Sequence, residues 1–206
     1  MPNWCDNTMT VSGPHDELLA FIKKAEGPTQ TYNSYSGQGW EAFDKIRVEA
    51  IYNSLPEPGE SSDLSFHQLV PVPDATMRLP YDRHAAEKIA RVLGYDISGI
   101  YGPEAGYEWE ANNWGCKWGA SNVHRGEVTE SESGGVSDIQ YEFSTPWSPP
   151  ITALIAISID FPSLSFSIDY DEPGMGFCGD ALFKGGDMIN HNERSIDDDY
   201  EDDYEE

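Results

Sequence analysis

Two segments that alternate between apolar and polar residues constrain the fold of this chain most. Residues 4–11 and residues 164–170 each place their apolar side chains on one face and mainly Thr, Ser or Asp on the other. A period of two is typical of β-strands that are buried on one face only. A sheet of such strands needs helices over its apolar face, so these segments predict an α+β protein.

A helical segment follows the first strand and another precedes the second. In residues 18–25 the apolar side chains recur at helical spacing, with Gly and Pro at both ends of the segment. Residues 151–161 are apolar nearly throughout. The pair Pro149-Pro150 before them and Pro162 after them favour a buried helix, whereas the many isoleucines leave a strand open.

The chain between these outer elements divides into an insertion and a hairpin. Residues of about 29–113 form the predicted insertion, which begins as a loop rich in Ser, Tyr, Gly and Gln. Helical patterns then occupy residues 40–52, 84–93 and 104–112, while residues 64–66 are predicted to be extended. The insertion is therefore expected to be largely helical.

After the insertion, residues 120–129 and 139–144 are predicted to pair as a hairpin, and residues 175–183 as a last strand. The order is β-α, insertion, β-β-α-β-β, which predicts a ferredoxin-like, split βαβ fold with both helices on one face of an antiparallel sheet. We expect a single domain over residues 1–190 and a disordered acidic tail over residues 191–206.

The charge of the chain is strongly negative. Twelve Lys and Arg face 37 Asp and Glu, which gives a net charge of -25. The eight acids of residues 197–206 carry part of it, and -17 stays on residues 1–196. Such a field repels nucleic acids and anionic membranes and attracts basic protein surfaces, so direct nucleic-acid or membrane binding is not expected.

The cysteines and the N-terminal segment indicate a reducing compartment. Three cysteines at long spacings, Cys5, Cys116 and Cys178, fit neither a disulfide framework nor a zinc ribbon. The first residues lack the basic and apolar regions of a signal peptide, and the longest apolar run is too short to cross a bilayer. We therefore expect a cytoplasmic protein.

Five strings of residues carry a resemblance to one family. They are Met1-Pro2-Asn3-Trp4-Cys5 with Asn7 and Val11-Ser12-Gly13; Phe66 with Leu69-Val70-Pro71-Val72-Pro73; Asn113-Trp114-Gly115-Cys116-Lys117-Trp118; Phe143-Ser144-Thr145-Pro146-Trp147-Ser148-Pro149-Pro150; and Glu172-Pro173-Gly174-Met175-Gly176-Phe177. In this order, over most of residues 1–180, they resemble the YubB-type ferredoxin-like domain family of phage and plasmid proteins. The resemblance implies a ferredoxin-like fold and a mobile-element origin, but it brings no activity and no catalytic residue. A small or hydroxyl residue is expected where Cys116 stands.

The tryptophan-rich strings are candidates for a binding site. Lys117 can face an anionic group while Trp114 or Trp118 stacks on a ring, in a cleft between the sheet and the insertion. The alternative is a tight glycine turn whose aromatic side chains close the core. Trp147, between prolines, is interpreted mainly as fixing the entry into the second helix.

The acidic residues offer a second candidate site. Glu127, Glu130 and Glu132 form one cluster, and Glu172 belongs to another near residues 169–172. Paired carboxylates can exchange protons or hold Mg²⁺, but solvated hairpin edges carry such charges too. The full set of candidate binding residues is Asn7, Asn113, Trp114, Lys117, Trp118, Glu127, Glu130, Glu132, Trp147 and Glu172.

Two functions are compatible with these patterns. The first is a binding protein that presents its acidic surface to a basic host protein and can imitate nucleic-acid phosphates. The second is a small-ligand-binding protein or enzyme that uses the cleft near Trp114, Lys117 and Trp118. No nucleotide, zinc or serine-hydrolase motif is present, so we predict no cofactor, no metal and no catalytic residue, and we rank binding first. The oligomeric state stays open.

Overall fold

The fold is described by a computed structural model that covers residues 2–35, 45–94, 104–130 and 135–196. The helices are α1 (His15–Ala25), α2 (Lys45–Tyr52), α3 (Phe66–Leu69), α4 (Asp74–Met77), α5 (Arg83–Leu93), α6 (Gly106–Trp114) and α7 (Ile151–Asp160). The strands are β1 (Trp4–Pro14), β2 (Gly27–Pro28), β3 (Ser61–Ser62), β4 (Ser121–Arg125), β5 (Thr129–Glu130), β6 (Val136–Pro146), β7 (Ser165–Glu172), β8 (Phe177–Lys184) and β9 (Asp187–Ser195).

One large antiparallel sheet holds the protein together. Its strand order is β4-β6-β1-β7-β8-β9, and β5 pairs with β6 beyond β4. The central strand β1 pairs with β6 on one side and β7 on the other, with Met9 opposite both Tyr141 and Ile168. Helix α1 leads from β1 to the β4–β6 hairpin and α7 leads from β6 to β7, so the predicted split βαβ, ferredoxin-like fold is confirmed.

Helices α1 and α7 cover the same face of the sheet. The rings of Phe21 in α1 and Phe161 just after α7 meet edge to face, with centroids 5.5 Å apart. Phe21 also contacts Tyr141 and Phe166, which lie on the sheet. Lys24 reaches across to Asp160 at 2.8 Å. The apolar residues of β1, β6 and β7 are buried beneath these helices. In the described part of the chain, the alternate residues of these strands, which point to the other face, are mostly exposed or half-buried.

The insertion is largely helical, as predicted, and it has a small core of its own. Val48 of α2, Ile89 of α5 and Leu79 between them pack together with Tyr35 and other apolar residues. The insertion is joined to the main core through α3 and α6, where Phe66 and Trp114 pack edge to face at 5.8 Å. The predicted helix over residues 40–52 is present from Lys45, and residues 40–44 lie outside the described part.

Two predictions about local structure were wrong. Residues 64–66 are not simply extended, because α3 begins at Phe66. Residues 191–195 do not belong to a disordered tail either, since β9 pairs with β8 up to Ser195 and the N–H of Ile196 donates to the carbonyl of Gly176. Every residue of β9 is exposed. Such an edge strand has no buried face, so it carries no alternating pattern.

The remaining tail residues, 197–206, lie outside the described part, so the predicted disorder stays a prediction there. All three cysteines are free, and Cys5 and Cys116 are buried. Within the described ranges, no helix is both long and apolar enough to cross a membrane.

Candidate functional site

Four of the sequence strings that carry the family resemblance meet at one end of the molecule. We call it the Trp4 end of the sheet, because β1 begins there with Trp4 opposite Pro146. The N–H of Trp147 donates to the carbonyl of Asn3, whose side chain packs against Gly174 in the β7–β8 turn. The hydroxyl of Ser148 donates to the carbonyl of Gly115, at 2.7 Å. Segments far apart in sequence therefore build one surface.

Three aromatic rings surround Lys117 on this surface. Its Nζ lies 4.9 Å from the ring centroid of Trp118, 5.5 Å from that of Tyr107 and 5.6 Å from that of Trp147. We call Tyr107, Trp118 and Trp147 the aromatic cage. Each of its rings is 40–45% exposed. A shallow depression of about 360 Å³ between Tyr107, Lys117 and Trp147 opens to solvent.

Two of the cage residues have an unusual backbone conformation. Trp118 has φ of 66° and Trp147 has φ of 71°, in the left-handed region that bulky residues rarely occupy. A conformation of this kind costs about 1–3 kcal/mol, and such residues cluster at functional sites. The exposure of these two large rings is thus maintained at a cost in folding stability.

A buried carboxylate holds one of these residues in place. Glu110 in α6 is completely buried and accepts four hydrogen bonds: from the amide of Gln30, the hydroxyls of Tyr32 and Tyr81, and the backbone N–H of Trp118. Burial raises the pKa of Glu110 above its ordinary value, and the four donors act in the opposite direction. Burial, together with the charge of Glu110, also raises the pKa values of both tyrosines.

Two predicted site residues, Trp114 and Asn7, are part of the interior, and Asn113 is half-buried. Trp114 is completely buried, and its Nε1 donates to the carbonyl of Val70 at 3.0 Å, so the core interpretation of this residue is the correct one. Asn113 caps the last turn of α6 by donating to the carbonyl of Trp109. Asn7 is buried under the helices and donates to Thr145 Oγ1 at 2.9 Å. Trp118 and Trp147 are exposed, and Lys117 is half-buried.

Glu172 is not on a solvated hairpin edge, which was one interpretation of its acidic cluster. It is completely buried at the end of β7, and one carboxylate oxygen, Oε2, accepts from the backbone N–H of Met175. In the described part of the chain, its Oε1 has no hydrogen-bond partner. Burial, with a smaller contribution from Glu172, raises the pKa of the Cys5 thiol to about 12, so this cysteine is a protonated core residue at neutral pH.

The face of the sheet that points away from α1 and α7 is acidic. Alternate residues of its strands point away from the helices and line a depression of about 570 Å³. Five of them are carboxylates, which we call the acidic face: Asp6, Glu142, Asp169, Asp171 and Asp180. His124 and Arg194 are the basic side chains that border this depression.

Carboxylates of the acidic face stand directly opposite one another on neighbouring strands. Asp6 of β1 is opposite Asp171 of β7, and Asp169 of β7 is opposite Asp180 of β8. Ser144 donates to Asp6 at 2.8 Å, and Asn192 donates to Asp180. Like charges placed directly opposite each other destabilise a sheet, by roughly 0.2–1 kcal/mol per pair.

The two described members of the predicted glutamate cluster, Glu127 and Glu130, do not line this depression. Glu130 in β5 is opposite Ser137, and its carboxylate is 3.5 Å from His15 Nδ1 at the start of α1, on the helical side of the sheet. Glu127 is exposed in the loop before β5, and Glu132 lies outside the described residues.

Several residues of these two surfaces were not candidates from the sequence. Tyr107 and Glu110 sit in α6, before the tryptophan-rich string, and no motif marks them. Asp6 was visible only as a polar position of an alternating strand, and Asp180 carried no signal, so only the strand order shows that both are neighbours of the acids near residues 169–172. Within the described residues, no group of three or more His, Cys, Asp or Glu is arranged to hold a metal ion.

Comparison with known proteins agrees with this fold. Residues 129–206 match the family described as "Ferredoxin-like domain in Api92-like protein". The chain is 27% identical over 99 residues to the uncharacterized protein YubB of Escherichia coli (strain K12), a match that spans 48% of this chain and 65% of that protein. The chain thus covers slightly less than two thirds of YubB.

A solved structure extends the agreement to nearly the whole chain. The protein api92 from Yersinia pseudotuberculosis superposes with a TM-score of 0.61, over 95% of this chain and 99% of that chain, at 10% identity. The resemblance to the YubB-type ferredoxin-like family that the sequence strings indicated is confirmed. At this identity the structure of api92 supports the fold alone.

Proposed function

We propose that this protein is a binding protein whose acidic face receives a basic surface of a partner protein and, in doing so, imitates the phosphates of a nucleic acid. Five carboxylates on one side of a sheet form a broad negative surface, and the net charge of -25 adds a long-range field of the same sign. A partner that binds nucleic acid through lysines and arginines has the complementary charge.

The like-charge pairs are the observation that carries this proposal. Asp6 opposite Asp171 and Asp169 opposite Asp180 each cost folding stability, because like charges placed directly opposite each other repel. A bound lysine or arginine between such carboxylates relieves that repulsion. The pairs therefore cost stability in the free protein and favour the bound state.

A direct test uses charge neutralisation with a matched control. The variant Asp6→Asn, Asp169→Asn and Asp171→Asn removes three charges from the acidic face. The control Glu17→Gln, Glu57→Gln and Glu60→Gln removes three exposed charges elsewhere. Binding to a lysine- and arginine-rich peptide is measured at 50 and 300 mM salt, with duplex DNA as competitor for the peptide.

We expect the first variant to lose about tenfold in affinity at low salt and much of its salt dependence, since exposed ion pairs contribute up to about 1 kcal/mol each. The control variant should lose clearly less. Equal losses in both variants would show that only net charge matters and would refute a specific acidic face.

A second candidate function is supported by the aromatic cage. The depression beside Lys117 can accept a small ligand with an anionic group and a flat ring, since Trp118 and Trp147 offer exposed faces. This second function is tested by titration of the protein with a small aromatic carboxylate, which measures its binding. In that case Lys117→Ala abolishes binding, and salt has little effect.

A further inference from the structure

The ammonium group of Lys117 lies within the aromatic cage. Three rings within 5.6 Å of a positive charge form the arrangement by which proteins bind quaternary ammonium and other cationic groups. Among the described residues, Nζ of Lys117 has neither a carboxylate within 4 Å nor a hydrogen-bond acceptor. The ammonium group is therefore held by the rings alone.

The geometry of the cage is maintained at a cost. Trp118 and Trp147 both have positive φ, and the buried carboxylate of Glu110 fixes the backbone N–H of Trp118 at 2.7 Å. A lysine that only needed solvation would do without such a cage, because an exposed ammonium is well hydrated in water. The rings are thus set in position for a cation that gains more from them than lysine does.

We propose that the aromatic cage binds an arginine side chain of the basic partner, and that Lys117 is an internal occupant which that arginine displaces. The proposal rests on the acidic face as the binding surface, and it adds the residue type that anchors the partner. A guanidinium group is planar and more weakly hydrated than an ammonium, so it stacks on a tryptophan face at a lower desolvation cost. Tryptophan, tyrosine and arginine are also the residues that most often dominate interfaces.

The cage and the acidic face lie near the same end of β1. Trp4 and Asp6 are alternate residues of β1 and point to the same side of the sheet, about 7 Å apart along the strand. Trp4 is opposite Pro146, the residue before Trp147 of the cage. A basic segment that lies across Asp6 and Asp171 therefore reaches the cage within a few residues.

The charges near the cage favour a cation over an anion as its occupant. The residues that face Lys117 are uncharged rings, and the acidic face begins next to Trp4. The whole-chain charge of -25 raises the local concentration of cations and lowers that of anions. An arginine that replaces Lys117 keeps the cation–π contacts, and the released ammonium gains full hydration.

The test removes the internal occupant and uses a lysine at the opposite end of the sheet as a matched control. Lys117→Ala empties the cage, and Lys184→Ala removes the same charge from the far end of β8. The probe is a short arginine peptide with blocked ends, and binding is followed by tryptophan fluorescence and by calorimetry. The same peptide made of lysine tests the preference for guanidinium.

We expect Lys117→Ala to bind the arginine peptide about fivefold more tightly than the unaltered protein and the Lys184→Ala control to gain less than twofold. Tyr107→Ala should weaken binding of the arginine peptide more than that of the lysine peptide. Tyr107 has an ordinary helical position in α6, so its replacement removes a ring without a change in backbone strain.

Weaker arginine binding in Lys117→Ala, together with binding of an aromatic carboxylate to the unaltered protein, would overturn the inference in favour of an anion site. Equal effects of Lys117→Ala and Lys184→Ala would overturn it as well, since charge alone would then explain the gain. The effects of the cage variants are measured separately from those of the acidic-face variant, so the two proposals can fail separately. If the Asp→Asn variant loses binding while cage variants do not, the proposed function stands and the inference fails.

Discussion

The backbone N–H of Trp118 donates a hydrogen bond of 2.7 Å to Oε2 of Glu110, a carboxylate that is completely buried. The buried carboxylate of Glu110 therefore positions the exposed Trp118. Glu110 lies in α6, one helix turn before the tryptophan-rich string that contains Trp118. The same carboxylate binds Tyr32, Tyr81 and Gln30, so the insertion and the cage share one polar anchor.

Replacement of Glu110 should affect both stability and the cage. Glu110→Ala removes four hydrogen bonds to a charged acceptor and leaves buried donors without partners, which costs roughly 3 kcal/mol or more. Chemical denaturation measures this loss. Tryptophan fluorescence should report greater solvent exposure of Trp118 before unfolding. An unchanged emission spectrum would contradict the positioning role of Glu110.

The raised pKa of Glu110 predicts a pH dependence of known sign. Because the folded state binds a proton at this carboxyl more readily than the unfolded state does, its contribution to stability is fully present below the unfolded pKa and is lost as the pH rises through the folded pKa. As the pH falls from neutral towards the ordinary pKa of a glutamate carboxyl, the free energy of unfolding of the unaltered protein should therefore rise relative to that of Glu110→Gln. A constant difference between the two proteins across this range would show that the pKa is not raised.

The two tryptophans with positive φ can be tested for strain. At both positions glycine has no steric penalty in the left-handed region, whereas alanine does, by about 1–2 kcal/mol. Trp118→Gly should therefore be more stable than Trp118→Ala by about 1 kcal/mol, and the same order should hold at Trp147. In an ordinary extended or helical conformation the alanine variants would be the more stable ones.

The end of β9 can be tested by truncation. A disordered tail over residues 191–206 would allow the removal of residues 193–206 with little effect on the melting temperature. In the structure, Glu193, Arg194 and Ser195 pair with β8, and Ile196 bonds to Gly176. Removal of residues 193–206 should therefore lower the melting temperature by several degrees more than removal of residues 197–206. Equal melting temperatures would show that the last residues of β9 contribute nothing.

The fold could be predicted because its main elements carry strong local patterns. Strands β1 and β7 alternate strictly, and α1 and α7 are bounded by proline or glycine, so the split βαβ order followed from the sequence. Strand β9 was missed because it is exposed on both sides, and exposed edge residues carry no such pattern.

The candidate site was predicted only in part. Lys117, Trp118 and Trp147 were identified from their motifs, but the same motifs include the core residue Trp114. A tryptophan-rich string does not reveal which ring points inward, since that depends on where the turn at Gly115 lies. Glu110 was missed because a buried acid in a helix has no sequence signature until its donors, here 80 residues away at Gln30, are brought to it.

Asp171→Asn should have opposite effects on stability and on binding. The change removes the repulsion with Asp6 on β1 and keeps a side chain of nearly the same size. The free energy of unfolding should rise by about 0.2–1 kcal/mol at low salt, and the gain should shrink at 1 M salt as charges are screened. Asp138→Asn on β6 is a matched control, because the residue opposite it on β1 is the uncharged Ser12.

The same Asp171→Asn variant should bind an arginine- and lysine-rich peptide less tightly than the unaltered protein. Residues that serve a function often lower the stability of the folded protein, and substitutions that restore the stability reduce the function. Stability is measured by urea denaturation and affinity by calorimetry on the same samples. A variant that gains stability and keeps its full affinity would show that the Asp6–Asp171 pair has no part in binding.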